Sequence, residues 1–197
     1  ALVSHGSGNS TDSNGFTTAA IDTTGANFII ICLATGSVNA GAISDSKSNT
    51  WTPLTQFVGN FGDRWLQFFY AESPTVGSGH TFSVTGTANF PSLAIAAYSG
   101  VAASSFDVQN GNAGGFGTSV STNSVTPSVD NEVVIAALNY DDSTAAAVDS
   151  SFTLLENIPH TGFGFNGIAL ADLIQTTATA ENPTFSARSS RSSPLSC

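Results

Sequence analysis

The sequence contains few charged residues and very few cations. Charged residues make up 9% of the 197 positions, and the basic side chains are limited to Lys47, Arg64, Arg188 and Arg191. With 14 acidic residues, the net charge is −10. Nucleic-acid binding requires clustered cations, and adsorption on anionic lipid requires them too. We therefore expect no nucleic-acid partner and no adsorption on an anionic membrane.

Long apolar segments, methionine and paired cysteines are also missing. No segment approaches the about 20 apolar residues of a membrane-spanning helix, so we expect no membrane insertion. Cys32 lies in an apolar run and Cys197 ends the chain, which predicts a buried thiol and a terminal thiol, not a disulfide. Abundant Ser, Thr and Gly with scarce Lys and Cys is typical of extracellular or virion proteins. A start at Ala1 without Met predicts a processed or trimmed form.

Apolar runs that are rich in β-branched residues predict strands. Residues 28–34 form the longest apolar run, and it is bounded by Gly25 and Gly36. A run that is rich in β-branched residues and has no polar alternation is typical of a strand buried on both faces. Poor helix formers such as consecutive Ile argue against a buried helix. The sequence therefore predicts an all-β fold, with further strands at residues 2–5, 16–23, 51–58, 64–72, 80–85 and 92–99.

The order of these segments repeats after about one hundred residues, and no linker rich in Pro and Gly separates the two copies. This spacing predicts one antiparallel β-sandwich of jelly-roll type in a single domain, 1–197, built from related halves at 1–104 and 105–197. The corresponding segments are 17–24 and 121–129, 28–33 and 132–139, Trp51-Thr-Pro-Leu54 and Phe152-Thr-Leu-Leu155, 66–72 and 167–174, and Thr81-Phe-Ser83 and Thr184-Phe-Ser186.

The repeat predicts that one strand is missing from the second half. The apolar segment 93–98 follows Thr81-Phe-Ser83, whereas only the polar tail 188–197 follows Thr184-Phe-Ser186. An open sheet edge would result, and a second chain could cover it by strand addition. We therefore expect self-association, or association with other structural proteins, through edge strands. In the alternative, the tail covers this edge itself.

Catalytic motifs are absent from the sequence. The glycine-rich residues 111–117 contain no Lys and precede no predicted helix, which favours a flexible loop over a phosphate site. His80 shares a strand face with apolar residues, so we expect a hydrogen-bonded core or rim histidine. The remaining histidines and the glutamates show no metal-type or glycosidase-type pairing, so we predict no catalytic residue and no enzyme: His5, His160, Glu72, Glu132, Glu156 and Glu181.

Two oxygen-rich loops are candidates for calcium. Asp45 and Asn49 lie in a loop of the first half, and Asp141 and Asp142 follow the repeated central strand in the second. Ca²⁺ prefers several carboxylate and carbonyl oxygens. Neither loop has the spacing of an established calcium motif, so a solvated acidic loop is the alternative. We expect no other cofactor.

Aromatic residues cluster in two neighbouring predicted strands. Trp51, Trp65 and Tyr70 are candidate contacts for a ligand, because exposed aromatic rings can stack on sugars. In the strand that holds Trp65 and Tyr70, however, both faces are largely apolar. A central strand with core aromatics is the alternative.

Three segments carry a resemblance to a known group of proteins: Ser44-Asp-Ser-Lys-Ser-Asn-Thr-Trp-Thr-Pro-Leu54, Tyr70-Ala-Glu-Ser-Pro-Thr-Val-Gly-Ser-Gly-His-Thr-Phe82 and Ala96-Ala-Tyr-Ser-Gly100. Together they resemble β-sandwich domains of bacteriophage structural proteins and secreted bacterial surface proteins. The resemblance implies a fold and no functional residue, and the polar C-terminus departs from it.

These observations predict a non-enzymatic structural subunit of an extracellular or virion assembly, such as a phage decoration or tail component or a surface filament. A carbohydrate-binding or adhesion module is the alternative. It would use the aromatic residues and the acidic loops. A polysaccharide-cleaving enzyme is a third hypothesis, and no acid/base pair supports it.

Overall fold

A computed structural model describes residues 1–11, 15–36, 41–59, 64–86, 89–112, 117–149, 151–159, 166–189 and 192–196, without the side chains from 188 onward. Cys197, His160 and residues 113–116 of the glycine-rich segment lie outside this part of the chain. No helix long and apolar enough to cross a membrane occurs among the described residues.

Every regular element in the described residues is a strand, which confirms the all-β prediction. The strands are β1 Leu2–Asn9, β2 Phe16–Thr17, β3 Phe28–Thr35, β4 Ala42–Asp45, β5 Thr52–Pro53, β6 Phe57–Val58, β7 Trp65–Glu72, β8 Phe82–Thr85, β9 Ser92–Tyr98, β10 Asn110–Gly111, β11 Gly117–Ser121, β12 Val133–Tyr140, β13 Ala147–Val148, β14 Thr153–Ile158, β15 Gly167–Ile174, β16 Thr184–Ser189 and β17 Ser192–Ser196.

The strands form two large and two small antiparallel sheets. The first half contains a large sheet in the order β1-β9-β3-β7-β5, with β6 also on β7, and a small sheet in the order β2-β8-β4. The second half contains a large sheet in the order β10-β17-β12-β15-β14 and a small sheet in the order β11-β16-β13. Strands at corresponding positions along the chain thus have corresponding neighbours.

Strand β3 is central because both of its edges and both of its faces are covered. It pairs with β7 and β9, and all eight of its residues are buried. Ile29 and Ile31 pack towards the small sheet of the first half, while Ile30 and Cys32 pack towards the second half. Burial of each such isoleucine stabilises the fold by roughly 2–3 kcal/mol. Cys32 is fully buried, in agreement with the prediction of a buried thiol.

Three apolar cores hold the sheets together. One lies between the large and small sheets of the first half, and one lies between those of the second half. The third joins the two large sheets and contains Ile30 and Phe68 from the first half with Ile135 and Leu170 from the second. The halves therefore meet through their large sheets.

The prediction of a missing last strand is wrong. Strand β17 pairs with β12, from Tyr140↔Ser192 to Ala136↔Ser196, and also with β10. This is the position that β9 has between β1 and β3 in the first half. The serine-rich tail forms a strand because backbone N–H and C=O groups complete a ladder without apolar side chains. The edge of β12 is covered by the tail itself, so it offers no place for strand addition.

Candidate functional site: a cleft between the two halves

The predicted site residues fall into three places, and the first is a buried cluster around Asp45 at the end of β4. Asp45 Oδ1 accepts hydrogen bonds from Lys47 N (2.7 Å) and His80 Nε2 (3.0 Å), and Oδ2 accepts from Trp51 Nε1 (2.9 Å). Asn49 contributes its backbone N–H (3.1 Å) and side-chain amide (3.2 Å). The side chains of Asp45 and His80 are fully buried. Three of the predicted residues therefore lie together.

His80 extends this cluster into the core. Its Nδ1 lies 2.9 Å from Thr23 Oγ1, and its ring stacks on Phe82 at 4.3 Å between centroids. A carboxylate, an imidazole and a hydroxyl in this order resemble a hydrolytic triad. Thr23 and His80 are both 0% exposed, so no substrate reaches the hydroxyl. Hydrogen bonds in this cluster connect the loop after β4 to His80, which precedes β8. The prediction of a hydrogen-bonded histidine is confirmed.

The second place is an ion pair between the halves. Arg64 Nη2 donates to Asp141 Oδ2 (2.9 Å), and Arg64 Nη1 donates to Asn166 Oδ1 (3.1 Å). Asp142 Oδ1 accepts from Thr144 N (2.9 Å). The backbone carbonyl of Trp65 accepts from the side-chain amide of Asn139 (3.0 Å). This arrangement joins the end of β12 to the start of β7.

Calcium at either acidic loop stays a prediction. Asp45 and Asn49 share one network, and Asp141 belongs to another with an arginine. Within the described ranges, no group of three or more His, Cys, Asp or Glu side chains is placed to hold a metal ion.

The third place is open to solvent and contains Tyr70. The Tyr70 ring stacks on Phe28 on one side (5.8 Å) and on Phe106 on the other (6.2 Å). Phe106 is 43% exposed, so the stack runs from the core to the surface. It ends at a cleft of about 400 Å³, which continues into a smaller apolar pocket of about 60 Å³ lined by Tyr70 and Leu54. The larger volume lies in the range of ligand-binding clefts.

Exposed apolar side chains converge on this cleft. Its walls are Ala1 before β1, residues 98–102 and 104–107 at the junction of the halves, residues 128–133 at the start of β12, and Ile174 at the end of β15. In the described part of the chain, the large hydrophobic side chains that remain exposed are Phe106 (43%), Val129 (58%) and Ile174 (55%). All three line the cleft. Contributions from both halves thus form one apolar patch.

Carboxylates surround the patch. Asp107 Oδ2 accepts from Ser128 N (2.7 Å), and Asp130 Oδ1 accepts from Ala178 N (2.8 Å). Partial burial, together with the nearby charge of Asp107, raises the pKa of Glu132 above its ordinary value. The ion pairs found among the described residues involve none of these three acids. The rim of the cleft therefore carries three acidic side chains, and the N-terminal ammonium of Ala1 lies in the same lining.

Sequence reasoning identified Tyr70 but missed Phe106, Val129 and Ile174. A signal for two of them was present: Phe106 and Val129 are single apolar residues in the polar contexts Ser-Ser-Phe-Asp and Ser-Val-Asp. An isolated apolar residue in a polar loop has no strand partner to bury it. Ile174 carried no such signal, because it ends a predicted strand.

Comparison with known proteins yields no match to a family model, to a curated protein or to a solved structure. The resemblance to phage and bacterial surface domains therefore stays a prediction that rests on the sequence segments alone.

Proposed function

We propose that this protein is a non-enzymatic structural subunit of an extracellular or virion assembly, and that it docks onto a neighbouring component through the cleft. One observation carries this proposal: the exposed large hydrophobic side chains of the described chain, Phe106, Val129 and Ile174, share one cleft. Scattered exposed hydrophobics need no explanation, whereas a contiguous patch with a polar rim is typical of an interaction site.

Rigid attachment of the two halves supports this role. Besides the shared apolar core, Tyr98 Oη donates to Asp172 Oδ2 (3.0 Å) and His5 Nδ1 lies 2.5 Å from Glu156 Oε1, so both contacts cross from one half to the other. Because the cleft takes its walls from both halves, these contacts hold it in shape. A preformed surface loses little conformational entropy when a partner docks.

We further propose that the sandwich is of jelly-roll type and that its two halves are related by duplication. The matching neighbour orders of the two large sheets, and of the two small sheets, support this origin. The jelly roll is common in capsid and lectin domains. The argument from fold is an analogy, and the cleft carries the functional proposal.

The test is a double substitution in the cleft, Val129→Ser with Ile174→Ser. We expect the protein isolated from its source without denaturation to occur in complexes or ordered particles, seen by native mass spectrometry and negative-stain microscopy. The double variant should remain a folded monomer, because the apolar patch is lost.

The matched control is Thr52→Ser with Thr153→Ser, at two exposed strand positions outside the cleft. This control should assemble like the wild type. Normal assembly of the cleft variant, or a wild-type protein that stays monomeric in its native source, would contradict the proposal.

Carbohydrate binding is the second candidate, and the stack of Tyr70 on Phe106 favours it. Aromatic rings bind the apolar faces of sugars, and the nearby carboxylates accept hydrogen bonds from hydroxyl groups. Saturable binding on a glycan array, lost in Phe106→Ala and unchanged by a chelator, would support a sugar in the cleft. Loss of binding on chelation would favour the calcium loops instead.

A further inference from the structure

We propose that the cleft accepts a cationic segment of a partner protein, in which Lys or Arg residues flank an apolar side chain. This inference rests on the proposed function, since it names the chemistry of the component that docks in the same cleft. Two properties of the cleft lead to it: an apolar floor and an acidic rim that contains no Lys or Arg side chain among the residues that the structure describes.

The floor of the cleft selects an apolar group. Val129 and Ile174 are each more than half exposed, and the adjoining pocket is lined mainly by apolar side chains such as Leu54, Val101 and Val133. Covering such surface with an apolar side chain yields about 25 cal/mol per Å² of area removed from water. A purely polar ligand would bring no apolar group to cover this surface.

The rim selects a cation. Glu132 and Asp107 are close enough for their charges to oppose each other, and Asp130 lines the same cleft. The basic side chains that the structure describes do not pair with them, and the N-terminal ammonium of Ala1, which lines the cleft, donates to the Ser99 carbonyl (2.6 Å). Lys47 Nζ donates to the Ser78 carbonyl (3.3 Å), and Arg64 pairs with Asp141 in another region. A Lys or Arg brought by a partner would relieve the repulsion between these carboxylates.

The same charges argue against a second copy of this chain as the occupant. Each copy has a net charge of −10, and a two-fold contact through the cleft would place one acidic rim against another. Like charges that face each other across an interface oppose association. A basic segment of a different protein complements both the rim and the overall charge.

The experiment uses three blocked synthetic pentapeptides with the same apolar residues: Lys-Leu-Lys-Phe-Lys, Ser-Leu-Ser-Phe-Ser and Glu-Leu-Glu-Phe-Glu. Each is titrated into the full chain, and backbone amide shifts are followed by NMR. We expect the lysine peptide to shift amides in residues 99–107 and 128–133. It should bind about tenfold more tightly than the serine peptide at low salt, and this advantage should shrink at high salt.

Charge variants test the rim. Asp107→Asn with Glu132→Gln should abolish the advantage of the lysine peptide over the serine peptide. The control, Asp22→Asn with Glu181→Gln, removes the same charge outside the cleft and should retain that advantage. The inference is overturned if the lysine peptide causes no shifts in the cleft, if the glutamate peptide binds equally well, or if the rim variant keeps the lysine preference.

The two proposals fail in different ways. If Val129→Ser with Ile174→Ser blocks assembly while the peptides show no charge preference, the docking role stands and only the cationic partner is rejected. If that variant assembles normally, the docking role itself is rejected, whatever the peptides do.

Discussion

The two halves share a strand order but hold their small sheets by different chemistry. In the first half, the loop after β4 is fastened by a buried carboxylate, Asp45, which accepts hydrogen bonds from His80 and Trp51. In the second half, Asp149 follows β13. This residue is exposed, and among the described contacts its carboxylate accepts from Ser151 Oγ (3.2 Å) and Thr184 N (3.0 Å).

The aromatic residues after these loops explain the difference. Trp51 brings an indole N–H that must be satisfied, and Asp45 accepts it. Phe152, three residues after Asp149, is 7% exposed, and its side chain has no donor group and packs in the apolar core of the second half. One backbone layout therefore accommodates either a hydrogen-bonded cluster or simple apolar packing. The buried cluster stabilises only while every member is present.

The largest expected effect breaks that cluster. Asp45→Ala removes the acceptor for five hydrogen bonds and leaves His80 buried without its carboxylate, so it should lower the free energy of unfolding by about 3–5 kcal/mol. Asp149→Ala, the matched change in the second half, should lower the free energy of unfolding by about 1 kcal/mol or less, because the groups that donate to Asp149 can donate to water instead. Urea unfolding followed by fluorescence measures both. Equal losses of unfolding free energy in the two variants would contradict this difference between the halves.

A smaller loss of stability is expected when a tyrosine hydroxyl is removed, and it should differ between a contact that joins the two halves and a contact within one half. Tyr98 Oη donates to the buried carboxylate of Asp172, whereas Tyr140 Oη donates to Asn157 Oδ1 within the second half (2.5 Å). Tyr98→Phe should destabilise by about 2 kcal/mol and Tyr140→Phe by about 1 kcal/mol, since bonds to charged acceptors are stronger. Burial raises the pKa of Tyr140 to about 12, so its hydroxyl remains a donor at neutral pH. A larger loss for Tyr140→Phe would reverse this ranking.

The smallest effect appears in the pH dependence of stability. Burial raises the pKa of Asp172 above its ordinary value of 3.8, and the Tyr98 hydroxyl and the nearby His5 oppose this shift. A raised pKa means that the folded protein keeps a proton that the unfolded chain has released. This group therefore lowers stability as pH rises from about 3.8 through the folded pKa.

Asp172→Asn removes that titration. The variant should gain stability relative to the wild type between about pH 3 and about pH 7, measured as the shift in urea midpoint at each pH. Glu181→Gln is the control, and it removes a carboxylate that does not contact Tyr98. A gain that is the same at both pH values would exclude Asp172 as the source.

Local sequence patterns identified most strands. Residues 28–34 were assigned to a buried strand from their β-branched run, and the structure buries every residue of β3. His80 was expected to be a hydrogen-bonded core residue from its strand face, and it is one. The sequence predicts no strand at 192–196, because the pairing of this segment with β12 depends on the backbone ladder and not on a run of apolar side chains.

The residues of the candidate site are harder to predict from local sequence patterns. Tyr70 was named from aromatic clustering, but its neighbour in the stack, Phe106, lies 36 positions later in a polar segment. Asp45, Asn49 and Trp51 are close in sequence and meet in one cluster, whereas Arg64 and Asp141 meet across 77 positions. Contacts within a loop follow from spacing, and contacts between the halves do not.

Side-chain alternation and β-branched runs are local properties of the chain, so they predict antiparallel strands without knowledge of the fold. Where the halves meet, and which exposed apolar side chains come together, depends on how the sheets pack. Phe106, Val129 and Ile174 become one patch when the large sheets pack face to face. Local sequence marks Phe106 and Val129 as isolated apolar residues, but their meeting with Ile174 depends on the packing of the whole molecule.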